Sequence, residues 1–407
     1  MRWRLVFGLA FRNLFRNKRR NLVSSVAIIA GVTTLILGDG LVTGIDESVL
    51  RSQERIFSGQ VLLRPIEYPT NSRNFPLALA QPLTATMHQR LQSSHVESWT
   101  ARLFFRARLI HRSDSLRVKV IGYDPNREPT VFQQERWITQ GHWPRSQNQI
   151  AIGIGLSDLL QLQIGDNIVL EARSRPGAIN AVSAQIVGVT KTYNAAADSF
   201  TVWMPIEAAD SFVLANGARS HIAILSSNGR SNVKELSSTL ATDNWQAYTA
   251  ADEVHDLLEV NKFRRRAYTI LTAILMAIAA VGIANTVIMS AYERIAEVGT
   301  LRSLGMRRKE ILVLFIGEGA LMGLFAGWIG VFFGGFCNYI LSQRGIDLSN
   351  QVGAFGEIPF PTQLFSHFSM SFMLWSLLFG VATSLLASLW PATHAVHIQP
   401  ADAVRRK

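Results

Sequence analysis

The sequence predicts an α-helical membrane protein with four transmembrane helices and one large α+β domain outside the cytoplasm. Three observations predict it. Apolar residues concentrate in four blocks, one after residue 21 and three between residues 267 and 390. Each block matches or exceeds the ~20 residues that cross a bilayer. Residues 44–262, between the first two blocks, interleave short β-rich runs with helix-like runs, the pattern of an α+β domain. Finally, the net charge of +11 lies wholly outside that stretch, which holds 21 Lys/Arg and 21 Asp/Glu. The basic excess therefore flanks the apolar blocks, as cytoplasmic retention of Lys and Arg requires.

Taken in order, residues 1–21 form an amphipathic helix lying on the membrane. Trp3, Phe7, Ala10, Phe11 and Leu14 recur at helical spacing, and Arg12, Arg16 and Arg19 fall on another face. The first span is 22–43, an uncleaved anchor, since no small-x-small cleavage pattern precedes Gly44. Within 44–262, strands are predicted at Val61–Leu63, Leu116–Gly122, Gln149–Gly153, Asn167–Ala172, Ala184–Thr190, Phe200–Met204 and His221–Leu225. Helices are predicted at Leu83–Ser93, Leu156–Leu162, Asn232–Thr242 and Ala251–Arg266. The ends of this domain, Leu41–Ile56 and Ala251–Arg266, extend the neighbouring spans as a stalk.

The second span is 267–292, the third 311–341 and the fourth 368–390. A cytoplasmic loop, 293–310, a short outer loop, 342–367, and a cytoplasmic tail, 391–407, complete the chain. Lys and Arg number seven in the N-terminal flank, five in the 293–310 loop and three in the tail, against Arg344 alone in the 342–367 loop. That asymmetry places both termini in the cytoplasm. Lys262, Arg264, Arg265 and Arg266 run against it, on the outer side of the second span, where an anionic lipid headgroup would accommodate them.

Several chemistries are excluded. No Gly is followed by Lys, so no P-loop is present in these residues. Gly153-Ile-Gly155 lacks the third glycine of a dinucleotide fingerprint, with Asp158 in its place. His394 and His397 sit three apart without a third metal ligand. A nucleic-acid role would need a basic face on the soluble domain, which is neutral. The single cysteine, Cys337, can form neither an internal disulfide nor a Cys-based zinc site. No catalytic residue, cofactor or metal site is predicted, and the chain is not expected to be an enzyme.

Two features remain. In the third span Gly319, Gly323 and Gly327 recur every four residues beside Glu318, a pattern that lets helices approach closely. Glu318 is read as an interhelical hydrogen-bonding group, because a lone carboxylate makes no relay. In the 293–310 loop, Ile295, Val298, Leu301 and Leu304 form an i, i+3 stripe, with Glu293 and Glu297 on another side and Gly305 ending the helix. A short helix pinned between two spans can only move with them. It suits either coupling to a soluble partner or resting on headgroups.

Asn285–Ile311, which contains Tyr-Glu293-Arg294-Ile295-Ala-Glu297-Val298-Gly299 and then Leu304-Gly305-Met-Arg-Arg, resembles the ABC-transporter permeases of the FtsX/MacB/LolC–LolE type. Val298 stands where that family usually has Ile. The tail from Pro391 to Arg405, the opening Leu9–Arg20 and, more loosely, Ile150–Leu170 and Ile186–Pro205 of a MacB-like periplasmic domain also agree. The resemblance implies a bacterial inner-membrane permease working as a homodimer or heterodimer. Each copy would dock a separate P-loop ABC ATPase through Glu293, Arg294, Ile295, Glu297, Val298, Gly299, Leu301, Leu304 and Gly305. Closest is the lipoprotein-release group, which acts on lipoproteins. An FtsX-like relative would instead activate a cell-wall hydrolase or signalling partner.

Overall fold

A computed structural model describes residues 18–69, 75–92, 95–227, 229, 233–242, 244–293, 305–348 and 360–397. Residues 1–17 of the expected amphipathic helix, and all of the 293–310 stripe from Arg294 to Leu304, lie outside these residues, while residues 18–21 are the start of the first long helix. The chain divides into two compact units. One comprises Met1–Gly44, Val260–Gly345 and Phe365–Lys407, the other Ile45–Glu259 and Ile346–Leu364.

Among the described residues, four helices are long and apolar enough to cross a membrane. They run Lys18–Gln53, His255–Glu293, Arg308–Arg344 and Met370–His397. The fourth continues through Pro391. In the membrane unit they share a core of Ile28, Val32, Ile36, Ala279, Ile283, Phe315, Met322 and Ala326. Most of their remaining apolar side chains point outward, as the solvent for such a bundle is hydrocarbon.

The other unit is built on strands β1 (Val61–Pro65), β2 (Gln81–Pro82), β3 (Val96–His111), β4 (Asp114–Tyr123), β5 (Ile138–Gly141), β6 (Gln149–Gly153) and β7 (Asn167–Arg173). It continues with β8 (Ile179–Thr190), β9 (Thr201–Pro205), β10 (Ala218–Arg219), β11 (His221–Ser226) and β12 (Trp245–Thr249). Strands β13 (Ile346–Asp347) and β14 (Gln363–Leu364) form a hairpin.

The pairings β3–β4, β4–β9, β9–β6, β6–β8, β8–β7 and β7–β3 close on themselves, giving a six-stranded barrel. Closure removes free edges. On the other side of β3, the antiparallel order β3–β11–β1–β12 forms a four-stranded sheet. Strand β3 serves both: Val96–Arg102 pairs β11, and Leu103–His111 pairs β4.

Alternation fills the barrel. Leu103, Phe105, Ala107 and Leu109 of β3 point inward to meet Val118, Val120, Ile150, Ile152, Ile168, Leu170 and Val202. A second core forms where the helices Ala85–Leu91 and Val233–Leu240 cover Val61, Leu63, Trp99, Ile222 and Ile224. Thr84 caps the first of these helices by accepting from Met87 N–H, a contact worth about 1 kcal/mol.

The segment between the third and fourth long helices does more than join them. Thr362 N–H donates to Tyr193 O (2.9 Å), and Ala195 N–H to Phe360 O (2.9 Å). Residues 346–364 therefore belong to the β-rich unit, an assignment that the local sequence does not carry.

Candidate functional site

The glycines of the third long helix meet helices of the same chain. A Cβ added at Gly319 would lie 2.6 Å from Ser388 Cβ, and one at Gly323 would lie 2.6 Å from Ser384 Cβ. At Gly327 it would lie 2.8 Å from Leu377 Cδ1. All three partners are on the fourth long helix, so this stripe is a seam within one subunit. Ser384 Oγ donates to Gly319 O at 2.5 Å, across the closest approach. Glu318, 9% exposed, sits one residue before Gly319.

Further along, the same helix turns to the first. Gly330 faces Val32, and Gly334 faces Ile36, while Thr33 Oγ1 donates to Gly330 O at 3.2 Å. The first helix packs on the second through Gly31 against Met276, and through the buried pair Ser24 Oγ–Thr286 Oγ1 at 2.6 Å. In hydrocarbon such close backbone approach and interhelical hydrogen bonds replace the hydrophobic drive. Ser384 and Ser388, like Gly31 and Thr33, went unread in the sequence; their small-residue spacing was the available signal.

At the loop that resembles the family's coupling segment, the described residues are its two ends. Glu293 is the last residue of the second long helix. Gly305 has φ +91°, a conformation that L side chains rarely adopt. Beyond it, Arg307 N–H donates to the Glu310 carboxylate at 2.8 Å, capping the start of the third helix.

In the β-rich unit the polar groups are structural. Arg102 is fully buried on β3, where the barrel meets the sheet. Its Nε donates to Glu128 Oε1 at 2.8 Å, and its Nη1 to Ile56 O at 2.6 Å and Phe57 O at 3.2 Å. The guanidinium also lies 3.9 Å from the centre of the Phe132 ring. One side chain thus holds the turn Glu54–Ser58, which directly follows the first long helix, to the middle of the domain. A second buried pair, Arg64–Glu253 at 2.8 Å, joins β1 to the helix Ala250–Glu253, just ahead of the second long helix.

Burial pushes Glu253 up to about 7 although Arg64 opposes the rise. Burial likewise raises Asp198 to about 6, against two donations from Thr192, N–H and Oγ1 each at 2.7 Å. His221 is held well below its usual value by burial among Arg64, Lys119 and Arg102, and it stacks on Phe104 at 4.1 Å. Ser220, which neighbours it, accepts from Phe104 N–H at 2.8 Å. None of these groups converges on an open site, and among the described residues no cluster of three His, Cys, Asp or Glu could hold a metal ion.

The sequence has relatives among known proteins. The family model for the MacB-like periplasmic core domain matches residues 22–242, and that for the FtsX-like permease C-terminal region matches residues 269–400. The macrolide export ATP-binding/permease protein MacB of Chlorobium luteolum is 23% identical over 97% of this chain and 59% of its own length. The chain thus spans 59% of that relative. An ABC transporter permease of Methanocaldococcus jannaschii is 19% identical over 98% of this chain and 97% of its own length. The lipoprotein-releasing system transmembrane protein LolC of Neisseria meningitidis serogroup B is 23% identical over 63% of this chain and 64% of its own. With the first of these models covering over half of its residues and the second most of its C-terminal part, the chain belongs to the FtsX/MacB family of ABC-transporter permeases.

Proposed function

We propose that this permease converts ATP hydrolysis by a separate P-loop ATPase subunit into motion of its β-rich domain, and that the motion draws a lipid-linked cargo such as a lipoprotein from the membrane. The observation that carries the reading is the bundle interior. It is filled by aliphatic side chains and closed by glycine–serine seams, a construction suited to passing force rather than to conducting a hydrophilic solute. In this reading both termini and the 293–310 loop face the cytoplasm, and two permease copies, identical or paralogous, each dock one ATPase in a bacterial inner membrane.

The stripe Ile295, Val298, Leu301 and Leu304, with Glu293, Arg294, Glu297, Gly299 and Gly305, forms the docking element. Motion of this loop reaches the first and second long helices. The Arg102 clamp at Ile56 and Phe57, and the Arg64–Glu253 pair, then deliver it to the domain.

The test is purification of the tagged protein in mild detergent. A stoichiometric P-loop ATPase should accompany the wild type and be lost from Leu301→Asp. Purification of folded protein without any ATPase would remove the proposal. Photo-crosslinking from the β-rich domain in cells should capture a lipoprotein. Capture of a cell-wall hydrolase instead would convert the reading to that of a regulator.

A further inference from the structure

The segment 360–367, which leads into the fourth long helix, is sewn to its surroundings at both ends. At one end it lies on the first long helix. A Cβ on Gly40 would lie 2.6 Å from Asn338 Oδ1 and from Ser366 Oγ, and one on Gly44 would overlap Phe365 O. These glycines, about one turn apart, let an extended backbone rest directly on the helix. His367 N–H donates to Gly40 O at 2.8 Å. Asn338, buried near the C-terminal end of the third long helix, donates through Nδ2 to His367 O at 3.1 Å and accepts from Ser366 Oγ.

At its other end the segment pairs with the turn before the helix Ala195–Phe200. Besides the bonds Thr362 N–H to Tyr193 O and Ala195 N–H to Phe360 O, Asn194 stands opposite Pro361. Asn194 is buried and uses both ends of its amide. Its Nδ2 donates to Ser52 Oγ of the first long helix at 2.9 Å, and its Oδ1 accepts from Ala197 N–H at 3.1 Å. Tyr193 has φ +58°, a left-handed conformation unusual for a bulky side chain. Such strain persists only where the surroundings impose it. Here the buried Asp198 does so, through its two bonds from Thr192. The helix is itself fixed to the barrel, since a Cβ on Gly153 of β6 would overlap Asp198 O.

We propose that residues 360–367 act as a strap, buckled by Asn194, that binds the barrel to the adjoining ends of the third and fourth long helices, so that neither moves without the other. A passive connection needs only length and runs over the surface. This one carries a buried side-chain amide at each end, and burying such groups is unfavourable unless they are bonded. The strap gives the barrel a hold on the third and fourth helices. It is separate from the Arg102 clamp and the Arg64–Glu253 pair, which adjoin the first and second. The inference rests on bonds within this chain alone, so failure of the transport reading would leave it standing.

Hydrogen exchange of the full-length permease in bilayer discs, without any ATPase, tests it. A strap must pass a change at one end to the other. Asn194→Ala should raise exchange across residues 365–368 about tenfold. Ser52→Ala, which leaves the bond from Ala197 N–H in place, should raise it about fivefold. In the reverse direction, Ser366→Ala should raise exchange across residues 193–198 about fivefold. Thr84→Ala removes a helix cap elsewhere in the same domain and should change neither segment, which separates release of the strap from general loss of stability. Unchanged exchange at 365–368 in Ser52→Ala, or at 193–198 in Ser366→Ala, overturns the proposal. So does an equal rise in Thr84→Ala. Should Asn194→Ala fail to fold, the two serine variants decide.

Discussion

Removing the Arg102 side chain would strand a buried carboxylate. Glu128 is fully buried against it, and the carbonyls of Ile56 and Phe57 lose their donor at the same time. Breaking such a pair typically costs about 3–5 kcal/mol, whereas replacing both partners by apolar groups costs far less. Arg102→Met should therefore lower the unfolding free energy by that amount, and Arg102→Met/Glu128→Leu should recover most of it in chemical denaturation. Glu253 gives a pH signature. Its folded value, near 7, lies above the ordinary 4.5. The folded state then holds the extra proton, so stability is full below pH ~4.5 and falls as pH rises to ~7. Melting temperature followed against pH should show this slope in wild type relative to Glu253→Gln, in which it is absent; parallel profiles would contradict the assignment. Neither arginine was legible as a core residue from sequence. Arg102 and Arg64 look like solvent-facing charges, and only the partners brought in by folding, Glu128 and Glu253, make their burial tolerable.

At the scale of elements, the glycine seam makes a graded prediction. Gly319→Ala and Gly323→Ala drive a methyl into Ser388 and Ser384, and overpacking of this kind costs about 1–3 kcal/mol. A Cβ at Gly282 would meet only Ser24 Oγ, at 3.9 Å. Gly282→Ala should therefore be neutral or stabilising by up to ~1 kcal/mol through helix propensity. Thermal unfolding in detergent ranks the three, and equal effects would show that the seam is not tight. The barrel wall offers a second case. On the outer face of β3 and β4, Arg106 stands directly opposite Lys119, and Arg108 opposite Arg117. Like charges across a ladder are unfavourable, so Arg117→Thr should raise stability by roughly 0.2–1 kcal/mol. Arg106 and Arg108 take the outward positions of the β3 alternation, opposite in sense to Leu103, Phe105, Ala107 and Leu109. What hid the strand is the buried Arg102 together with the adjacent Phe104 and Phe105, which break the period-2 pattern at its middle. Strands such as Gln149–Gly153, without charges, were legible almost to the residue.

Across the whole molecule, the apolar blocks announced the four long helices because no soluble fold needs runs of that length. The glycine spacing announced a close-packed face. Its partner was not readable, since Ser384 and Ser388 gain meaning only beside the third helix. Barrel closure was hidden for a related reason. The parallel pairs β4–β9 and β6–β8 join segments far apart in sequence, and no local pattern encodes them. The coupling stripe from Ile295 to Leu304 remains a reading of sequence and family. Its place in the account is to drive motion that the helices carry to Arg102 and Glu253. The most direct test is hydrogen exchange of the permease–ATPase complex in bilayer discs, compared without nucleotide and in the vanadate-trapped state. The account predicts changed protection in Glu54–Ser58 and in Ala250–Glu259 upon trapping, abolished by Leu301→Asp. Trapped ATPase with unchanged exchange throughout the β-rich domain would contradict transmission.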